Sequence, residues 1–203
     1  MMIQSIITCV IGNDSSENEG ENMPRKETIT KVAILDAAFE LCMQEGIGEV
    51  TARKLAAKAG CSTQPIFRVY KSMDDLYREL FSKGVRFFSE YYDKYPRNCE
   101  VPFVDLGLAY ISFAAEYKHL FRMLFLSENR FGKSFYEVLN GNQAVMKEVT
   151  KASNAGCQDP QTLFMKMWIF IHGSACMSLT GDYDLGERET EQLLVESYGA
   201  FVS

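Results

Sequence analysis

The stretch TARKLAAKAGCSTQPIFRVYK, from Thr51 to Lys71, constrains what this chain can fold into more tightly than any other. It opens on a polar capping residue, Thr51, followed by apolar Leu55, Ala56 and Ala59 on one face of a helix. Gly60 stands where that helix has to stop and the backbone has to turn sharply. Ser62 is of the residue type that caps a helix start, so a second, short helix is expected from Thr63 to about Val69. Pro65 then falls in the first turn, where its missing N–H removes no helical hydrogen bond. Two short helices joined by a glycine-containing turn form the arrangement in which one helix crosses a phosphate backbone while the other reads base edges.

Two such helices bury too little alone, and the preceding residues supply a third. From about Lys26 to Gln44, Ile34, Ala37, Ala38, Leu41 and Cys42 recur at i, i+3, i+4, i+7 and i+8, the spacing of one helical face, and Gly46 and Gly48 end it. Taken together, Ile34, Leu35, Ala37, Ala38, Leu41, Gly46, Thr51, Arg53, Leu55, Ala56, Ala59, Gly60, Ser62, Ile66, Phe67, Tyr70, Ser72 and Leu76 resemble the head of the TetR/AcrR family of bacterial transcriptional repressors. The segment AYISFAAEYKHLFRMLF resembles part of the same family's ligand-binding domain, with Lys118 where a proline is usual. The resemblance implies an all-α protein: a three-helix DNA-binding head over residues 23–72, and a helical ligand-binding and dimerisation domain over residues 73–203.

The charge distribution agrees with a DNA-binding head. The chain carries a net charge of −6, yet Pro24 to Ser72 holds eight Lys/Arg against five acids. A small basic head on an acidic body is the electrostatic pattern expected of a DNA-binding protein. Thr51, at a helix N-terminus, and Lys71, just beyond the second helix, are expected on phosphate, as the resemblance also implies, with Arg53 beside them. Ser62, Thr63, Gln64, Pro65 and Arg68 occupy the start and outer side of the recognition helix. Gln64 suits an adenine edge, Thr63 or Pro65 a thymine methyl, and Arg68 a guanine or a phosphate. Phe67 and Tyr70 complete the candidate DNA-binding set. Phe67 stands where the family has tyrosine, and Val69 where it has histidine or tyrosine. Both departures remove phosphate anchors and leave Phe67 and Tyr70 mainly as packing residues.

Beyond the head, a long helix is expected from Ser72 to about Asp93, with Asp74 and Asp75 in its first turn where negative charge suits the helix dipole. Further helices are expected from Pro102 to about Glu116, from Phe131 to about Ala155 with an interruption at Asn140-Gly141, from Asp159-Pro160 to about Leu179, and in a last segment striped by Leu194, Tyr198, Phe201 and Val202. Fifteen of the twenty-five aromatic residues lie between Phe81 and Tyr136, including Phe135. A helical core uses some of them; collectively they suit an apolar pocket between helices, where the resemblance places an effector site. Tyr110, Phe113, Tyr117, Trp168 and His172 are the expected lining, with a hydrogen-bonded core role as the competing account of His172. The helix from Pro160 is apolar on two faces, Leu163, Phe164, Met167, Trp168, Ile171 and Ala175 on one and Met165, Ile169 and Cys176 on another. The last two helices are therefore expected to pair with their copies in a homodimer.

Residues Met1 to Asn22 are expected outside the fold. Ile3 to Ile11 is apolar but too short to span a bilayer, and Asn13 to Asn22 is polar and acidic. Since members of the resembled family commonly begin in the manner of Met23-Pro-Arg-Lys, Met23 is the expected natural start, with a flexible arm as the alternative. The six cysteines, Cys9, Cys42, Cys61, Cys99, Cys157 and Cys176, show no close pair and no metal-ligand spacing. They are expected to be reduced thiols of a cytoplasmic protein, with redox sensing by Cys99 or Cys157 as the lesser alternative. No enzymatic activity and no cofactor is expected. Glu116 and His119 have the spacing of half a di-iron helix-bundle site, but no second Glu-x-x-His follows. The other rival is a DNA-binding or partner-binding dimer of the same fold that answers to no effector.

Overall fold

The structure, a computed structural model, describes residues 29–133, 138 and 144–202. The N-terminal extension, the proposed start at Met23, the first residues of the opening helix, Cys9, Phe135, Tyr136 and the Asn140-Gly141 interruption lie outside the described residues. Among those described, no strand occurs. Helix α1 spans Lys31–Glu45, α2 Ala52–Lys58, α3 Gln64–Val69, α4 Met73–Lys94, α5 Val104–Glu116 and α6 Lys118–Phe121. Then come α7, Ala144–Asn154, α8, Pro160–Thr180, and α9, Glu187–Val202.

Each boundary has a local cause. The Thr30 hydroxyl accepts the Ala33 N–H at the start of α1, and Ser72 does the same for Asp75 at the start of α4. The Asp159 carboxylate takes the Thr162 N–H beneath Pro160. Gly46 closes α1 at φ +94° and ψ 165°, a backbone shape reserved for glycine. The break expected to soften at Lys118 is a single residue, Tyr117, between α5 and α6. A π-helical turn, Arg122–Leu126, then follows α6.

Helix α5 is the axis of the body. Nearly every residue from Val104 to Ala114 is buried, because α4, α6, α7, α8 and α9 all pack on it. Two buried acids at its start are satisfied by backbone: its own Asp105 accepts the Cys99 N–H at 3.2 Å, and Glu148 on α7 accepts the Phe103 N–H at 2.7 Å. The expected inner face of α8 is buried in full, while Ile169 and Met177 on its other side are 67% and 47% exposed. Two expectations are corrected. Phe131 does not open a helix: it sits in a turn at φ +53° beside Gly132 at φ +81°. Val202 faces solvent, leaving Leu194 as the buried anchor of α9.

The head docks on the body along two lines. Phe39 of α1 meets Phe87 of α4 edge-on, and the Tyr77 hydroxyl donates to the Val50 carbonyl at 2.8 Å. Ion pairs Lys31–Glu79 and Lys83–Asp36 flank them. On the second line Gly46 lies against His119 of α6, and the Cys42 thiol reaches Met123 Sδ at 3.7 Å. Burial pushes the Cys42 thiol up to about 12.

Candidate nucleic-acid interface

Among its described residues the head keeps three exposed cations outside any ion pair. Its described acids are all engaged: Asp36 by Lys83, Glu40 by Lys58 at 3.1 Å, and Glu45 and Glu49 both by Lys54 at 2.6 Å. The hydrogen bond from Lys54, and then its charge, hold the Glu49 carboxyl below its ordinary value. These exposed pairs add little stability, but they consume the lysines that make them. Arg53, Arg68 and Lys71 are exposed and have no ion-pair partner among the described residues. Among the described residues, the head's cations without an ion-pair partner thus lie on α2, on α3 and just past the end of α3.

Thr51 caps α2, its hydroxyl accepting the Lys54 N–H at 3.3 Å, and remains exposed. Gly60 takes φ +63° in the turn, and the Cys61 N–H closes it on the Ala56 carbonyl at 2.9 Å. Ile66 is the buried anchor of α3, with Val69 packed beside it. Ser62, Thr63, Gln64 and Arg68 are exposed and Pro65 half-buried. Gln64, Phe67 and Arg68, at i, i+3 and i+4, share the side turned away from the core.

Two placements, those of Ser62 and Phe67, differ from expectation, and Tyr70 takes the packing role expected of it. Ser62 does not cap α3; Thr63 already has helical angles, and no side chain caps the helix. One of the two N–H groups a serine cap there could accept from, that three residues on, is missing because that residue is Pro65. Tyr70 is turned inward, 3% exposed, with its hydroxyl donating to Glu79 Oε2 at 3.0 Å and Lys31 over its ring. It belongs to the head–α4 joint and not to the outer surface. Phe67, expected to pack, is 49% exposed and has no ring partner among the described residues.

The five expected effector-lining residues fall into one packed aromatic system. Tyr110 meets Trp168 at 4.7 Å between centroids, and its hydroxyl lies 3.0 Å from His172 Nδ1. His172 also stacks with Phe121 and Trp168, and its Nε2 lies 3.7 Å from the Cys176 sulfur. Burial, and secondarily Arg130, hold the imidazole below its ordinary pKa, while burial raises Tyr110 well above its own. Phe113 is fully buried against Phe88 and Tyr91, and half-buried Tyr117 stacks beside it. Phe88 bridges the two groups. Glu116 and His119, the half-site spacing of a di-iron bundle, lie on different helices either side of the Tyr117 break. Among the described residues no three His, Cys, Asp or Glu side chains gather as a metal site.

A three-helix head with an exposed, basic second helix, set on a bundle built around α5, defines a helix-turn-helix DNA-binding regulator with a separate helical body. Residues 34–80 match the family model described as bacterial regulatory proteins, tetR family. Two solved structures share the fold, both from Rhodococcus sp. RHA1. A protein of unknown function superposes with a TM-score of 0.65 at 19% identity, covering 89% of this chain and 97% of its own. A TetR-like transcriptional regulator superposes with a TM-score of 0.62 at 16% identity, covering 88% and 97%. No curated protein matches by sequence. Residues 34–80 thus carry the DNA-binding domain that the tetR family model describes, and the chain as a whole shares the fold of these solved structures. No described helix is long and apolar enough to cross a membrane.

Proposed function

We propose that this chain is a cytoplasmic, ligand-responsive repressor that binds a palindromic operator as a homodimer. Residues 23–72 act as the DNA-binding head and residues 73–203 as the ligand-binding and dimerisation body. The observation that carries the reading is the set of exposed cations left over once the head's acids are paired: Arg53, Arg68 and Lys71. Thr51, Arg53 and Lys71 hold phosphate, while Thr63, Gln64, Pro65 and Arg68 face base edges, with Ser62 at their margin. The exposed apolar side of α8 pairs with its copy across a two-fold axis. Gly173 lies on that side with open space above its Cα, so a partner helix can approach closely.

The test is a selection of duplexes from a randomised DNA pool by the full-length protein, followed by titration of the enriched sequence at two salt concentrations. The repressor reading expects a palindromic site whose affinity falls with salt. Arg68→Ala relaxes its specificity, and Lys71→Ala lowers the salt slope by about two, one for each protomer. Enrichment of no sequence over random DNA overturns it.

The effector site is proposed at Tyr110, Phe113, Tyr117, Trp168 and His172, for a small, mostly apolar molecule. Because these rings pack on one another, a ligand entering there has to move them, and α4 is the element through which that motion reaches the head. The same packing favours a second reading, a DNA-binding dimer without an effector. A melting-temperature screen of small aromatic compounds separates the two, since binding to the native state raises the midpoint with ligand concentration.

A further inference from the structure

We propose that Phe67 is a sequence-reading residue whose ring contacts thymine methyl groups in the major groove. The inference rests on the DNA-binding reading of the head and assigns a specific contact within it.

Phe67 is one of two large apolar residues exposed in the described head, and the other, Val32, lies on α1. At 49% exposure it keeps about half its surface in water within a helix whose other apolar members, Ile66 and Val69, pack inward. Removing that surface from water is favourable, and the side chain is already positioned for it without any rearrangement of the core. Its neighbours on the outer side are Gln64, one turn before, and Arg68, with exposed Lys71 just past the helix end. These are donors and cations without ion-pair partners, a setting that matches a polyanion and does not suit an apolar protein surface. The major groove offers one apolar feature to such a ring, the thymine C5-methyl. Phenylalanine has no hydroxyl to give to a phosphate. The Tyr70 hydroxyl, three residues on, is already donated to Glu79. Phe67 therefore adds specificity for thymine without adding to the electrostatic part of binding.

The experiment uses duplexes enriched by the full-length protein from a randomised pool. Each thymine of the enriched site is replaced in turn by uracil, which pairs identically and lacks only the methyl group. Wild-type protein should bind about fourfold more weakly at each thymine whose methyl is contacted, the equivalent of one buried methyl. Phe67→Ala should bind the parent site more weakly and lose nothing further at those same positions, while its salt slope stays that of the wild type. Phe67→Leu, which retains an apolar side chain, should keep part of the thymine preference. Circular dichroism and melting temperature should be unchanged in both variants, since the ring lies outside the core. The proposal is overturned if uracil is tolerated at every position, or if Phe67→Ala retains the same uracil penalties as wild type. Failure at the selection step, with no sequence enriched, overturns the operator reading and this inference with it. Enrichment without a methyl effect overturns this inference alone.

Discussion

Both ring nitrogens of His172 are occupied, Nδ1 by the Tyr110 hydroxyl and Nε2 by the Cys176 thiol, and its faces by Phe121 and Trp168. Protonation places a charge among aromatic rings and near Arg130, so the folded protein disfavours it and the pKa falls below its ordinary value. The unfolded chain binds that proton more readily, so stability is complete above about pH 6.5 and declines as pH falls from there toward the depressed native value. His172→Gln removes the titration. Its melting temperature should change less between pH 7.5 and 5.5 than that of the wild type, and an identical pH dependence in the two would refute this account. Gly46 gives a second test at this scale. Its φ of +94° is strained for any side chain, and a Cβ there meets His119 Nδ1 at 3.1 Å. Gly46→Ala should cost of order 1–3 kcal/mol in denaturant unfolding. Adding His119→Ala should recover only the steric part, because the backbone strain remains.

At the scale of elements, most helices were legible because each carries its own local signal. Thr51, Ser72 and Asp159 announce starts, Gly46 announces a stop, and the inner face of α8 follows the helical period. The π-helical turn after α6 and the left-handed Phe103 before α5 have no such signal, because they answer to tertiary packing. Phe103 is buried and gives its N–H to a glutamate forty-five residues away in sequence. The candidate site was legible in its charges and not in its aromatics. Periodicity cannot tell an outward Phe67 from an inward Tyr70, since that choice depends on where Glu79 and Lys31 of neighbouring helices stand. A close helix approach in the body was equally hidden. Gly107 lets α5 meet α8 and α9 so tightly that an added Cβ comes within 2.9 Å of Leu194 Cδ1 and 3.1 Å of Ile171. Both neighbours are buried, so Gly107→Ala should destabilise the body by about 1–3 kcal/mol through overpacking. Thermal melts monitored in the far ultraviolet check the loss.

For the whole molecule, the decisive quantity is the distance between two recognition helices. One head alone contacts a half-site and pays the full cost of association for few contacts. Two heads on one rigid dimer make the second contact intramolecular, so affinity for a palindrome rises steeply when half-sites lie one turn, roughly 34–36 Å, apart. The exposed side of α8 is where such a dimer would form. Ile169 and Met177 recur two helical turns apart, with Gly173 between them. Replacing Ile169 by Glu puts a charge within that stripe, twice over in a two-fold interface, while leaving the buried face of α8 untouched. The variant should sediment as a monomer at micromolar concentration with an unchanged helical spectrum. Its affinity for the palindrome should fall at least tenfold, while its affinity for an isolated half-site stays that of the wild type. Those paired results would place the loss in the spacing of the heads. A variant that remains dimeric and binds the palindrome normally would move the interface off α8. It would leave the exposed side of α9 as the surface on which to look for it next.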